Sequence, residues 1–240
     1  MRGTSLRSAL AFLTIIPMPG RAQDRLGRAW FPAVGGLLGL AAGTADLGVA
    51  AVAPRPVAAV AAVATLAILT GGLHLDGLAD AADGLLGGRN RAHRLEIMRD
   101  PRVGSFGVIA VGLALAGKIA CLTSLAPRRA LVALTAAGAI SRWAMLGLVV
   151  ASPSARPSGL GRAATGPGGG RDLLQGSAIA ALTLILDWRR ASVAAGVAAL
   201  TAAGVGMLAR RRLGGATGDV YGAAAELCEL AALATFVVRA

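Results

Sequence analysis

The chain has 240 residues, 55% of them hydrophobic, 15% charged and only 3% aromatic, with a mean hydropathy of +0.67. A water-soluble core of this size does not need so much apolar surface, whereas an Ala- and Gly-rich chain suits membrane helices that pack through small residues. The net charge of +12 comes from twenty-three arginines and one lysine; no aromatic residues interleave with them in a nucleic-acid-binding pattern, so no nucleic-acid partner is expected and the excess is read as positive cytoplasmic loops.

The N-terminus, MRGTSLRSALAFLTIIPMPG, places arginines before a short apolar core. It resembles a secretory signal, but Pro17 and Pro19 follow the core in place of a small-residue cleavage site. That predicts an uncleaved interfacial or re-entrant segment. Seven apolar runs then approach the ~20 residues that a bilayer-crossing helix needs. They are 29–53, 57–73, 103–126, 130–151, 173–186, 190–209 and 221–238, the second and fifth being short. TGPGGGRD, Thr165 to Asp172, is a flexible loop. Cys121 and Cys228 lie far apart within apolar runs, without metal-site or disulfide spacing, and are read as packing residues. The prediction is one all-α domain over 1–240, a polytopic membrane bundle of about six to seven crossings.

Seven crossings put alternate loops on opposite sides. One side then holds sixteen arginines and the other six, with Arg142 inside a span. The asymmetry marks the first side as cytoplasmic. The same alternation puts the polar motifs on that face, as expected of a protein integral to the cytoplasmic membrane of a bacterium.

The chain has twelve acidic residues, and five of them fall in GGLHLDGLADAADGLLGGRNRAHRLEIMRDPRVGSFG, Gly71 to Gly107. Asp76, Asp80 and Asp83 are spaced i, i+4, i+7 and share a helix face. Like charges on one face repel unless a cation sits among them. Carboxylates without thiolates and with few histidines select a hard ion, Mg²⁺ or Mn²⁺. Glu96 and Asp100 make a second i, i+4 pair on a helix predicted after the GGRN turn, and two facing helices of this kind would hold one or two metals. Arg89, Arg91, Arg94, Arg99 and Arg102 surround the acids, and guanidinium groups bind phosphate through paired hydrogen bonds. Together these are the parts of a phosphoryl-transfer site. The competing reading is a salt-bridged amphipathic loop on the membrane surface. His74 is a candidate ligand or polarising donor, whereas His93 is read as a surface residue.

Further polar groups interrupt the apolar runs. Lys118 sits in VGLALAGKIACL, and Arg142 follows Ser141; intramembrane cations are functional candidates. Asp219, Glu226 and Glu229 form a second acidic group in GDVYGAAAELCELAAL. They would bind metal, pair with Arg142 or Lys118, or contact a polar substrate. Asp46 and Asp187 have no companion motif.

The Gly71–Gly107 segment closely resembles the central signature of the adenosylcobinamide-GDP ribazoletransferase (cobalamin synthase) family. FLTIIPMP (Phe12 to Pro19), FPAVGGLLG (Phe31 to Gly39), ARPSGLG (Ala155 to Gly161) and RRLGGATGDVYGAAAELCEL (Arg211 to Leu230) resemble its other motifs in the family's order, over nearly the whole chain. Ile15 departs from the pattern, since members often carry arginine there; Met18 and Tyr221 are milder departures. The resemblance implies a Mg²⁺-dependent membrane enzyme late in vitamin B12 assembly. It implies that adenosylcobinamide-GDP is joined to α-ribazole or its 5′-phosphate, giving adenosylcobalamin or its 5′-phosphate and GMP. Partners beyond these substrates would be membrane lipid and neighbouring enzymes of that pathway.

On this reading Asp76, Asp80 and Asp100 act in catalysis, and Asp76, Asp80, Asp83 and Asp100 hold the metal. His74, Arg89, Arg94, Glu96, Arg99, Lys118, Arg142, Arg156, Asp219, Glu226 and Glu229 contact substrate. Two rivals stand beside it. A CDP-alcohol phosphatidyltransferase also mixes DG and D-x-x-x-D elements, but here DGLADAADG lacks the arginine after the alanine. A transporter would use Lys118, Arg142 and Glu226 as an ion path, but its charges would run through the bilayer instead of gathering on one face.

Overall fold

The computed structural model describes residues 6–17 and 26–238; Arg2, Met18, Arg21, Arg25 and Arg239 lie outside them. Eleven α-helices follow in order among the described residues: α1 (Leu6–Leu13), α2 (Phe31–Ala50), α3 (Arg55–Thr70), α4 (Leu73–Gly87), α5 (Arg91–Ile97), α6 (Ser105–Thr123), α7 (Pro127–Ala151), α8 (Leu160–Ala164), α9 (Gly169–Ala181), α10 (Trp188–Leu213) and α11 (Gly218–Val237). Single 3₁₀ turns precede α2 (Arg28–Trp30) and follow α9 (Leu182–Ile185). Prolines open α2, α3 and α7 in their first turns, where a missing N–H costs nothing.

Among the described residues, five helical segments are long and apolar enough to cross a membrane: Arg28–Ala50, Ser105–Thr123, Pro127–Ala151, Trp188–Leu213 and Gly218–Val237. Helices α3 and α4 make a sixth if counted together, but they meet at 89°. The predicted run 57–73 therefore ends early. Gly71 and Gly72 both adopt left-handed backbone, with φ of 61° and 71°, which stops α3 and redirects the chain almost at a right angle. The predicted run 173–186 is a short helix plus a 3₁₀ turn and falls below the length of a regular span. It still carries the chain from one end of the bundle to the other. Asp172, in its first turn, pairs with Arg28 at 2.6 Å. Asp187, beyond its last turn, lies within the field of Arg129 at the start of α7.

The two ends differ in what ties them. At one end, Arg55 bridges Asp46 (2.8 Å) and the Leu122 carbonyl (2.7 Å), and Asp187 caps α10 through the Arg190 N–H. At the other, Arg91 donates to the carbonyls of Leu213 (2.7 Å) and Ala155 (2.9 Å), and Arg212 donates to the Leu85 carbonyl. The motif-bearing loops all gather at this second end.

Helix α7 is the enclosed centre, with 78% of its apolar window buried, against 22% for α6 and α10. Its tightest partner is α2. Gly35, Gly39 and Gly43 recur every fourth residue along α2, and a Cβ at the first two would lie 2.1 Å from the Gly138 carbonyl oxygen and 2.0 Å from that of Leu134. A glycine stripe thus lets two backbones touch where lipid offers no hydrophobic drive to hold them together. The N-terminal segment proves to be the short helix α1, with Ala9 and Leu13 buried and Phe12 stacked on Phe31.

Candidate active site

Helix α4 lies against the start of α11 through another glycine contact. A Cβ on Gly77 would come within 3.0 Å of the Asp219 carbonyl oxygen, and one on Gly222 within 3.3 Å of Gly77 and of the His74 carbonyl. This close approach brings Asp76 and Asp80 of α4 beside Asp219 of α11. Asp76 and Asp219 are the like charges that act most strongly on Asp80, and Arg156 opposes them. Thr217 caps α11 by accepting the Val220 N–H and donates its hydroxyl to Asp219 at 3.2 Å. Arg156 pairs with Asp219 at 3.2 Å and donates to the Met98 carbonyl at 3.3 Å.

These groups border a cavity of about 230 Å³. Its rim carries Asp76, Arg156, Arg162 and Asp219, with Ser154, Ser158 and Thr217 among them. The 154–162 loop forms one wall, paired to the chain before α11 by the Ser154–Ala216 bridge and the Ala155 N–H donated to the Ala216 carbonyl (2.9 Å). Phe12, Leu13, Phe31, Met145 and Val149 form the apolar remainder.

The structure redistributes several residues assigned from sequence. Asp83 shares its helix face with Asp76 and Asp80 but is spent on architecture: its two oxygens accept the N–H groups of Gly104 (2.7 Å) and Gly107 (2.9 Å) at the start of α6. A carboxylate already taken by two N–H donors is a helix cap, not an open metal ligand. Asp100 pairs with Arg102 on the surface at 2.7 Å. The hydrogen bonds donated by Arg102 hold its carboxyl down at about 2, which makes it a poor base. Among the described residues no three His, Cys, Asp or Glu side chains converge at metal-site spacing, so the row of Asp76, Asp80, Asp83 and Asp100 does not close on itself.

Arg89, Glu96 and Arg99 are exposed, Arg94 packs against Gly88, and none of the four lines the cavity. Arg156 does line it, as does Arg162, which the sequence marks only as a loop charge. The available signal was its place directly after the glycine-flanked SGLG turn, where a backbone without side chains leaves room for a ligand. Lys118, Arg142, Glu226 and Glu229 stand apart from the cavity lining. Lys118 donates to Glu226 (2.7 Å) and Glu229 (2.6 Å), and Arg142 pairs with Glu229, donates to Ser141 Oγ (2.9 Å) and approaches His74 Nδ1 (3.4 Å). Two cations and two carboxylates neutralise one another inside the bundle, which is how buried charge is tolerated there. They join α6, α7 and α11 and meet the cavity only through His74, which lines it; Lys118, Arg142 and Glu226 also border a separate void of about 10 Å³, room for no more than a water. Cys228 packs in the core against the Ala198 carbonyl.

The chain matches the family model described as cobalamin-5-phosphate synthase over residues 5–237. It belongs to that family. It is 40% identical to the adenosylcobinamide-GDP ribazoletransferase of Azorhizobium caulinodans, over 97% of this chain and 95% of the relative. It is 40% identical to that of Chlorobaculum parvum (95% and 92%) and 41% identical to that of Ralstonia nicotianae (95% and 93%). No solved structure matches the chain. Within the cobalamin-5-phosphate synthase fold seen here, the segments that carry the sequence resemblance meet at one place. FLTIIPMP and FPAVGGLLG supply Phe12, Leu13 and Phe31, and the central signature supplies His74, Asp76 and Gly77. ARPSGLG supplies Arg156, Ser158, Gly159 and Gly161, and the C-terminal signature supplies Thr217, Gly218, Asp219, Tyr221 and Gly222.

Proposed function

We propose that this chain is an adenosylcobinamide-GDP ribazoletransferase working in the cavity between α4, α11 and the 154–162 loop. The single observation that carries the placement is the convergence of all five resembling segments on that one cavity. The reaction joins adenosylcobinamide-GDP to α-ribazole, or its 5′-phosphate, and releases GMP. A ribose hydroxyl attacks the phosphorus on the corrinoid side of the diphosphate, the bridging P–O bond breaks, and GMP leaves with the bridging oxygen.

The donor set fits Mg²⁺. Asp76 and Asp219 stand on the cavity rim with Asp80 beside them; the three do not converge into a closed protein cage, but Mg²⁺ takes one or two carboxylates together with substrate phosphates and water, which Asp76 and Asp219 at an open rim suit, with Arg156 countering their charge. Mg²⁺ bound there would neutralise charge on the diphosphate. The chain's own residues do the rest. Arg156 and Arg162 hold phosphate oxygens by charge-assisted hydrogen bonds. The Asp76–Asp80 pair takes the proton of the attacking hydroxyl. Arg156 also fixes Asp219, so one side chain ties anion binding to the metal-binding carboxylates. The cavity admits the phosphates and one nucleoside, and the corrin stays outside it.

The arginine-rich end carries this cavity, which supports a cytoplasmic active site in a bacterial cytoplasmic membrane. The test supplies purified protein in liposomes with adenosylcobinamide-GDP and α-ribazole. Formation of the joined corrinoid together with GMP supports the reading. Absence of both from folded protein, with transfer from a CDP-alcohol to lipid instead, overturns it.

A further inference from the structure

The lining of the cavity changes character with depth. Asp76, Ser158 and Arg162 at the rim are exposed, whereas Leu13, Phe31 and His74 are buried. The buried part is apolar apart from three neutral polar side chains: Thr217, whose hydroxyl is already engaged by Asp219 and the Val220 N–H, and His74 and Tyr221, which are 2% and 5% exposed. The Tyr221 hydroxyl is buried and has no hydrogen-bond partner among the described residues. A buried hydroxyl without a partner is costly, so one kept on a cavity wall points to an acceptor on a ligand. His74 is prepared in the same sense. Arginine only donates hydrogen bonds, so Nδ1 facing the Arg142 guanidinium at 3.4 Å acts as acceptor. The neutral ring then carries its proton on Nε2, as a donor. Phe12 and Phe31, stacked with centroids 5.7 Å apart and planes within 9°, give the same compartment an aromatic wall.

Neutral donors within an apolar, aromatic enclosure do not suit a phosphate or a bare sugar. They suit a flat uncharged ring with acceptor atoms on its edge. We infer that the buried half of the cavity is a subsite for the heteroaromatic base of a nucleoside, packed on the Phe12–Phe31 wall, with Tyr221 and His74 donating to the ring edge. This inference rests on the reaction proposed above. That reaction offers two such bases, the guanine of the corrinoid nucleotide and the base of the ribazole, and both share this chemistry.

Equilibrium dialysis with radiolabelled α-ribazole and, separately, with GDP tests the inference on full-length protein in detergent with Mg²⁺. Tyr221→Phe removes the hydroxyl and keeps the ring's packing. It is expected to weaken one of the two ligands by roughly 5- to 30-fold, the loss of a buried hydrogen bond, and to leave the other unchanged. The weakened ligand identifies the occupant. Phe12→Ala should weaken the same ligand and not the other, a selectivity that a general packing defect would not produce. Unchanged affinity for both, equal weakening of both, or no binding of either by the unsubstituted protein overturns the inference. Binding is read without turnover, so a failure of the proposed reaction shows separately, as missing GMP.

Discussion

Asp76, Asp83 and Asp100 show how one residue type takes three jobs within 25 positions. The helical spacing in the sequence correctly puts Asp76, Asp80 and Asp83 on one face, but spacing says nothing about what arrives on the far side of that face. For Asp83 the arriving partner is the N-terminus of α6. Asp83→Asn should therefore lower stability by about 1–3 kcal/mol, seen as a reduced melting temperature, because one buried N–H loses its acceptor. Asp76→Ala should instead leave melting unchanged and cut turnover by more than about 100-fold, the scale of losing a group that acts on the reacting charge. Asp100 belongs to neither class. Its carboxyl is held at about 2 by Arg102, below its unfolded value, so its contribution is present above that unfolded value and is lost only as pH falls toward 2. Asp100→Asn should leave the activity–pH profile between about pH 5 and 9 unchanged. A shifted limb in that range would return Asp100 to the chemistry.

At the scale of elements, the apolar periodicity exposes most of the helices, and turn residues mark most of their ends. Periodicity does not show the right angle between α3 and α4, because a Gly-Gly pair reads as a stop without giving the direction of the next helix. Nor does it pair α4 with α11, which are distant in sequence and meet through Gly77 and Gly222. That is why Asp219 reads in the sequence as part of a separate acidic group with Glu226 and Glu229, when the rise along α11 leaves Asp219 at the cavity and carries the two glutamates about two to three turns further on, into the core. Gly77→Val should push α4 off α11 and separate Asp76 from Asp219. We expect turnover to fall at least about tenfold while the protein still inserts and purifies as a folded species. The α2–α7 stripe answers differently. Gly39→Leu places atoms where the Leu134 carbonyl stands, and its overpacking should cost about 1–3 kcal/mol or more, read as loss of detergent-stable protein.

For the whole molecule, the fold is a charge-sorted bundle. The internal Lys118–Glu226–Glu229–Arg142 group balances itself, and the carboxylates left open to ligand lie at the arginine-rich end. A single cysteine at Ser158, with Cys121 and Cys228 removed, should react with an impermeant maleimide in inside-out vesicles and not in intact cells. Composition and loop charge, both sums over the chain, are what the sequence offers for this proposed orientation, whereas the cavity depends on which few residues tertiary packing selects. Through that selection, catalysis belongs to the α4–α11 cavity and not to the row of carboxylates along the 71–107 segment, as proposed above. This placement is tested most directly by GMP release as a function of Mg²⁺ concentration in the Asp219→Ala and Asp100→Ala proteins. Asp219→Ala should lose Mg²⁺-dependent release, and Asp100→Ala should follow the unsubstituted curve. A normal curve for Asp219→Ala with loss in Asp100→Ala would contradict it.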